Sequence, residues 1–327
     1  MSAVASTVLI TGGLGYVGGR IATWLMAAAP HLSLRLMTRR STDLIPLWAK
    51  SLHIVHGDLL EEQSLKAAVG GVDTVIHLAA INELESQRNP ALALEVNGQG
   101  TYRLLRVCRD QGIKRFIYFS TFHVYGPWAQ YPITEETPTR PIHPYAITHR
   151  LAEDYVNWYR HAFGMETLIL RLSNGYGYPA DPQVQRWSLV FNDFCLQGVQ
   201  KGEIKLRSRG TQHRDFIALS DVARGVQHLL GLSSEQWRDG LFNLGGECSM
   251  SILQVAQRVA RELSDQNGRE VLVTPGEAED SGPAGPVIYS IAKLRQTGFK
   301  PMGDMSEEVR GTLAVCEQRL RAGGSAS

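Results

Sequence analysis

The sequence predicts an α/β protein built on a doubly wound parallel sheet, with a smaller mixed α/β unit beside it. Three observations carry this expectation. The apolar run Val8-Leu9-Ile10 leads straight into Thr11-Gly12-Gly13-Leu14-Gly15-Tyr16-Val17-Gly18 and then into a helix-like stretch from Arg20 to Ala29. Short apolar, β-branched segments then alternate with helical stretches through the first half, the pattern of parallel strands covered by helices. After Leu172 this alternation breaks down into Ser173-Asn174-Gly175-Tyr176-Gly177-Tyr178-Pro179, which marks the second unit.

Taken in order, the strand expectations are Thr7 to Thr11, Leu32 to Met37, His53 to His56, Thr74 to Leu78, Phe116 to Ser120 and Thr167 to Leu172. Pro90 to Gln111, with apolar residues at Leu94, Leu104, Leu105 and Val107, reads as one long covering helix, and Tyr145 to His161 as another. The boundaries expected are 1–172 for the first unit and 173–320 for the second, with a segment of about 211–245 returning to the first. Thr274 to Pro286, rich in proline, glycine and acid, reads as an exposed loop. Residues 321–327 have nothing to bury and are expected to be disordered.

Composition narrows the class. The 327 residues carry 33 basic and 32 acidic side chains, so neither a nucleic-acid footprint nor a polybasic membrane face is indicated, and small molecules are the expected partners. Four scattered cysteines, Cys108, Cys195, Cys248 and Cys316, form no CxxC pair and have no histidine at metal-ligand spacing. No metal is expected. Without a basic region before the first apolar stretch and without a run long enough for a bilayer, the chain reads as soluble and cytoplasmic.

The glycine turn between strand and helix has a physical logic. Gly12 permits a tight turn, Gly15 lets the backbone approach a pyrophosphate, and Gly18 lets the helix pack closely on the strand, with the helix N-terminus facing the phosphates. Dinucleotide binding follows. At the end of the second strand, where an acid would accept from a free ribose 2′-hydroxyl, the chain has Thr38-Arg39-Arg40. A guanidinium there can hold a 2′-phosphate, so NADP is favoured, with NAD still open; the plain alternative is two solvated surface arginines. Gly57-Asp58-Leu59 follows the third strand, and Leu78-Ala79-Ala80 ends the fourth with room for a cofactor. The expected dinucleotide contacts are therefore Gly12, Gly15, Tyr16, Val17, Gly18, Arg39, Asp58, Leu59, Leu78, Ala79 and Ala80. His77, within the fourth strand, reads as a hydrogen-bonded structural histidine.

Two segments carry proton-transfer chemistry. Phe119-Ser120-Thr121-Phe122-His123-Val124-Tyr125-Gly126 sets hydroxyls just beyond the fifth strand, and Pro144-Tyr145-Ala146-Ile147-Thr148-His149 sets Tyr145 and His149 on one helix face. With these residues the chain resembles the extended short-chain dehydrogenases/reductases, especially the nucleotide-sugar branch of the NAD-dependent epimerases/dehydratases. The resemblance covers nearly the whole chain, through TGGLGYVG at 11–18, HLAA at 77–80, EVNGQGTYRLL at 95–105, STFHVYG at 120–126, PYAITH at 144–149, RLSNGYG at 171–177 and RDFIALSDVA at 214–223. It implies a Rossmann-like sheet domain, a substrate-binding second domain, and a homodimer. It implies Tyr145 as acid/base, Thr121 bonding the reacting oxygen, Asn97 in a supporting polar network, and Asn174 and Arg214 on a nucleotide diphosphate. Arg214 also reads as an ion-pair partner of Asp215.

The departure from the family's YxxxK is His149, which stands where a lysine bonds the nicotinamide ribose and lowers the tyrosine pKa. Tyr145 and His149 are thus expected both at the cofactor and in the chemistry. Either a neighbouring group keeps His149 charged, or the enzyme works poorly or only in the reducing direction, where a neutral phenol is the useful form. Phe122 and His123 replace the Asp-Glu pair of sugar 4,6-dehydratases, which disfavours dehydration. A 4-epimerase or a keto-sugar reductase on a nucleotide sugar is expected; the alternatives are a carbonyl reductase of a non-sugar substrate and a catalytically weak NADP-binding sensor.

Overall fold

The computed structural model describes residues 6–127, 131–280, 282 and 285–324. Its centre is a parallel sheet of seven strands: β1 (Thr7–Thr11), β2 (Ser33–Thr38), β3 (His53–His56), β4 (Thr74–His77), β5 (Arg115–Thr121), β6 (Glu166–Leu172) and β10 (Leu241–Leu244), in the order β10-β6-β5-β4-β1-β2-β3. The chain winds outward from β1 in one direction and from β4 in the other. The crevice between them, at the strands' carboxyl ends, is where such a sheet receives a ligand.

The central strands read as apolar runs because both their faces are buried, whereas β3 at the edge of the sheet is partly exposed. Val8, Ile10, Leu36, Ile76, Ile117 and Phe119 pack with α1 (Tyr16–Ala28) and α8 (Leu219–Leu230), while Leu9, Val75, Phe116 and Tyr118 pack with α2 (Glu62–Val69), α5 (Thr101–Asp110) and α6 (Pro144–Phe163). The helix read across Pro90 to Gln111 is interrupted. Between α4 (Pro90–Ala93) and α5 the turn widens to a π-helix over Leu94–Gly100, so that Asn97 is buried.

The second unit holds a three-stranded sheet, β11 (Cys248–Ser251), β9 (His213–Ala218) and β7 (Asn174–Tyr176), and a pair of β12 (Leu272–Thr274) with β8 (Glu203–Lys205). A third core closes them against α7 (Val190–Lys201), α9 (Ile252–Asn267) and α11 (Met305–Gly324). Within 211–245, β9 belongs to this smaller sheet, and the part that rejoins the large one is α8 and β10. The loop read from Thr274 onward is tethered by Asp280, whose carboxylate accepts from the Ser208 and Thr211 hydroxyls at 2.5 and 2.6 Å. The tail expected to be disordered over 321–327 is helical through Gly324, since α11 simply continues; residues 325–327 lie outside the described residues.

Candidate active site

The glycine turn adopts the geometry its residues require. Gly12 has φ +69°, and a Cβ there would meet the Ala79 nitrogen at 3.0 Å. A Cβ on Gly18 would stand 2.3 Å from the Gly12 carbonyl oxygen, so close packing of α1 on the turn depends on that glycine. Gly15 begins α1 with no side-chain cap, which leaves the first helical N–H groups free for an anion. Beside them lies a cavity of about 490 Å³ lined by Gly12, Gly15, Arg39, Arg40, Asp58, Leu59, Ala79 and Ala80. A dinucleotide's phosphates and adenosine fit an uncapped helix start in a glycine cradle of this kind.

Arg39 is 68% exposed, 4.0 Å from the Asp58 carboxylate. Arg40 is instead drawn to Asp181 at 2.8 Å. The two adjacent arginines therefore differ, and Arg39 is the one available to a 2′-phosphate. Tyr16 commits its hydroxyl to protein, donating to the Gly177 carbonyl at 2.6 Å, so its ring joins the turn to the second unit. Gly18 and Leu78 line neither cavity: Gly18 lies under the turn, and the Leu78 N–H donates to Thr11 at the strand end.

A second cavity of about 590 Å³ is lined by Val17, Glu83, Ser120, Thr121, His123, Tyr145, Asn174, Arg186 and Arg214, among others. It brings Thr121 from the end of β5 and Tyr145 from the first turn of α6 to one space. The helix is started there by Pro144 at its first position and by His143, whose ring accepts from the Ala146 N–H at 3.3 Å. Asn97 holds this corner from behind. Its side-chain oxygen accepts from the Ile81 N–H at 2.9 Å while its amide donates to the Thr148 hydroxyl at 3.2 Å, tying the loop after β4 to α6.

Arg214 does not pair with Asp215. That carboxylate turns away to accept the Gly246 and Cys248 N–H groups at 3.1 and 2.9 Å, and burial pushes it up to about 6. Arg214 lines the cavity with no ion-pair partner among the described residues; burial disfavours its charge more than Glu83 restores it, a cost that a bound anion would offset. Asn174 donates one amide hydrogen to the Asp215 carbonyl at 2.8 Å and lines the same cavity, its second amide hydrogen being the donor left for an anion.

His149 sits one ring removed from the cavity, 4.4 Å from the Tyr145 ring between centroids. It is 4% exposed, its Nδ1 lies 2.7 Å from the Tyr118 hydroxyl, and its Nε2 has no partner among the described residues. Burial pushes its pKa down to about 4, more than the charge of Glu83 restores, so the ring is neutral at pH 7. The reading in which a neighbouring group keeps it charged is thereby corrected: among the described residues no carboxylate is bonded to it. Burial also holds the Tyr145 phenol well above its usual range, Glu83 adding to the effect.

Several groups at this site were not singled out from the sequence. Tyr118 touches His149; Glu83 and Arg186 pair at 3.4 Å in the cavity wall; and Glu153 takes Ser120 at 2.6 Å and Arg171 at 2.7 and 3.0 Å within the wall behind Thr121. The signal for two of them lies in the strand and helix periods. Tyr118 and Ser120 are two residues apart on β5, His149 and Glu153 four apart on α6, and these steps match at about 6–7 Å. His77 is held between the Thr11 and Thr101 hydroxyls at 2.7 and 2.9 Å, as a structural histidine should be. No metal-binding cluster and no helix long and apolar enough to cross a membrane occur among the described residues.

Comparison with known proteins agrees with this fold. A UDP-glucose 4-epimerase of Halalkalibacterium halodurans is 33% identical over 287 residues, covering 79% of this chain and 80% of that one. A dTDP-D-glucose 4,6-dehydratase of Mus musculus is 25% identical over 325 residues, covering 94% and 88%. The structure of RMD from Pseudomonas aeruginosa complexed with NADPH superposes with a TM-score of 0.78 at 26% identity, covering 96% of this chain and 99% of that one. The family model described as the NAD dependent epimerase/dehydratase family matches residues 8–245, well over half of the length, and to that family this chain belongs.

Proposed function

We propose that the chain is a nicotinamide-dependent enzyme that transfers hydride at a carbonyl or hydroxyl carbon of a nucleotide-diphosphate sugar, as a 4-epimerase or a keto-sugar reductase. The observation that carries this reading is the shared cavity: Tyr145 and Thr121 reach one space that also holds the unpaired Arg214 and Asn174. The cofactor would lie from the glycine cradle toward Tyr145 and supply or accept the hydride at its nicotinamide ring.

Within this scheme Thr121 orients the sugar oxygen and Tyr145 moves its proton. Arg214 and Asn174 take the diphosphate, which suits a guanidinium. A phenol held above its usual pKa beside an uncharged His149 is protonated at neutral pH, ready to donate to a carbonyl but poorly placed to begin by removing a proton. The reducing direction is therefore favoured, with NADPH held through Arg39. Dehydration is disfavoured because Phe122 offers no acid where the elimination needs one. A cytoplasmic homodimer completes the reading.

The test is direct. Purified protein with NADPH and a panel of 4-keto nucleotide sugars should consume the nicotinamide absorbance, and Tyr145→Phe should lower the rate by roughly 10²-fold or more. Turnover without added cofactor, interconverting two nucleotide sugars, would identify the epimerase instead. Binding of NADPH with no turnover, and no thermal protection by nucleotide sugars, would overturn both in favour of a sensor.

A further inference from the structure

We propose that Tyr118 is a positioning residue that holds His149 in the tautomer with its proton on Nε2, so that the ring offers an N–H donor to the bound dinucleotide's ribose in place of the family's ammonium. The inference rests on the proposed cofactor site. It adds a residue that none of the family-like motifs contains.

The argument is an accounting of hydrogen bonds. Tyr118 and His149 are 3% and 4% exposed, and their 2.7 Å contact is the one side-chain hydrogen bond either makes among the described residues. Two arrangements are possible. If Nδ1–H donates to the phenolic oxygen, the Tyr118 O–H proton has no acceptor and Nε2 is a bare lone pair, which leaves two buried polar functions unmet. If Tyr118 donates to Nδ1, only the Nε2–H is unmet. Buried polar groups left without partners are costly, so the second arrangement wins. A phenol also donates more readily than it accepts, and Tyr118, buried, stays protonated.

The remaining Nε2–H is then a buried donor with nothing to bond, beside the Tyr145 ring. Such an orphan is uncommon in a folded protein and points to a group that arrives later. A ribose hydroxyl can accept from an imidazole N–H as it does from an ammonium. What the exchange removes is the charge, while the donor is kept by fixing the tautomer from behind. The strand supplies that fixation: β5 alternation aims Tyr118 at α6, one helical turn before Ser120 meets Glu153.

Histidine-selective ¹⁵N spectra of the ligand-free protein, with the His149 signals assigned by their loss in His149→Gln, read the tautomer without any turnover. We expect a protonated Nε2 and a bare Nδ1. In titrations by nicotinamide fluorescence, Tyr118→Phe should weaken NADPH binding roughly three- to tenfold. In a His149→Lys background the same change should cost less than about twofold, because an ammonium needs no tautomer. A proton found on Nδ1 overturns the proposal, as does an equal loss in both backgrounds, which would assign Tyr118 to packing alone. Absence of turnover with any sugar nucleotide would refute the proposed function and leave the tautomer result standing.

Discussion

Replacing His149 by lysine should restore a capability that the neutral ring withholds. With its pKa pushed down to about 4, His149 is protonated in about one molecule in a thousand at pH 7. A unit charge held 4.4 Å from the phenol, the present separation of the ring centroids, would favour a phenolate by about 4 kcal/mol at an effective dielectric of about 20. That corresponds to about three pKa units. The lysine must itself be desolvated in the same pocket, which takes back part of the gain, so a fall of about one to two units for Tyr145 is the expected outcome. Oxidation of a sugar hydroxyl, which needs the phenolate, should then rise about 10- to 100-fold near pH 7, while reduction of a ketone gains little. Initial rates in both directions, measured from pH 6 to 9 on wild type and variant, give the ratio directly. The unmodified enzyme should show a reduction rate that is flat from about pH 5.5 to 8, since neither His149 nor Tyr145 titrates there. An unchanged ratio of oxidation to reduction in His149→Lys would refute the reasoning.

Other consequences can be measured without substrate. Gly18→Ala places a Cβ 2.3 Å from the Gly12 oxygen, so the turn must shift by more than half an ångström; a loss of about 2–4 kcal/mol in urea unfolding and at least tenfold in dinucleotide affinity is expected, and a Kd within twofold would contradict it. Glu153→Ala strands the Arg171 guanidinium, 5% exposed, at about 3–5 kcal/mol, whereas joint replacement by Leu and Met should recover most of that stability. His77, His123 and His149, pushed by burial to about 3, 4 and 4, bind protons more readily unfolded, so stability is full above about pH 6.5 and falls as pH drops toward 4. Asp215, raised to about 6, works in the opposite sense, leaving about two net protons and a slope of roughly 2–3 kcal/mol per pH unit near pH 5; a flat urea midpoint from pH 7 to 5 would exclude it. Arg39→Asp should move the NADPH/NADH affinity ratio toward NADH by at least about tenfold, and an unmoved ratio would remove Arg39 from cofactor choice.

The large sheet was legible because its central strands are buried on both faces and so appear as plain apolar runs, with glycine between the first strand and its helix. The π-helical widening at Leu94–Gly100 was not: it leaves the spacing of Leu94, Leu104 and Val107 readable as one helix, and the close packing of Gly100 at its end, where a Cβ would meet Leu59 at 2.9 Å, is a contact between elements distant in sequence. The return of the chain to the sheet is anticipated over too wide a segment, because β9 and β10 are both short strands flanking α8 and only their pairing partners assign them to different sheets. At the site, Tyr145, Thr121 and Arg214 stand in local motifs. Glu83, Arg186 and Tyr118 do not, since each owes its place to a contact across elements distant in sequence. The charge state of His149 was beyond reach for the same reason: it depends on how much water the surrounding core excludes.

One contact has a reach out of proportion to its size. Arg20, on the helix that begins at the glycine turn, forks onto Glu308 at 2.9 and 2.8 Å and lies over the Tyr178 ring at 3.8 Å, and Glu308 also takes the Ser220 N–H at 3.0 Å. Shortening the polypeptide before this glutamate, an edit often made to tidy a terminus, would leave a lone cation walled into the interior beside the dinucleotide's landing place. The last helix is therefore part of the foundation on which the first turn rests, and damage at one end of the chain would be felt at the other.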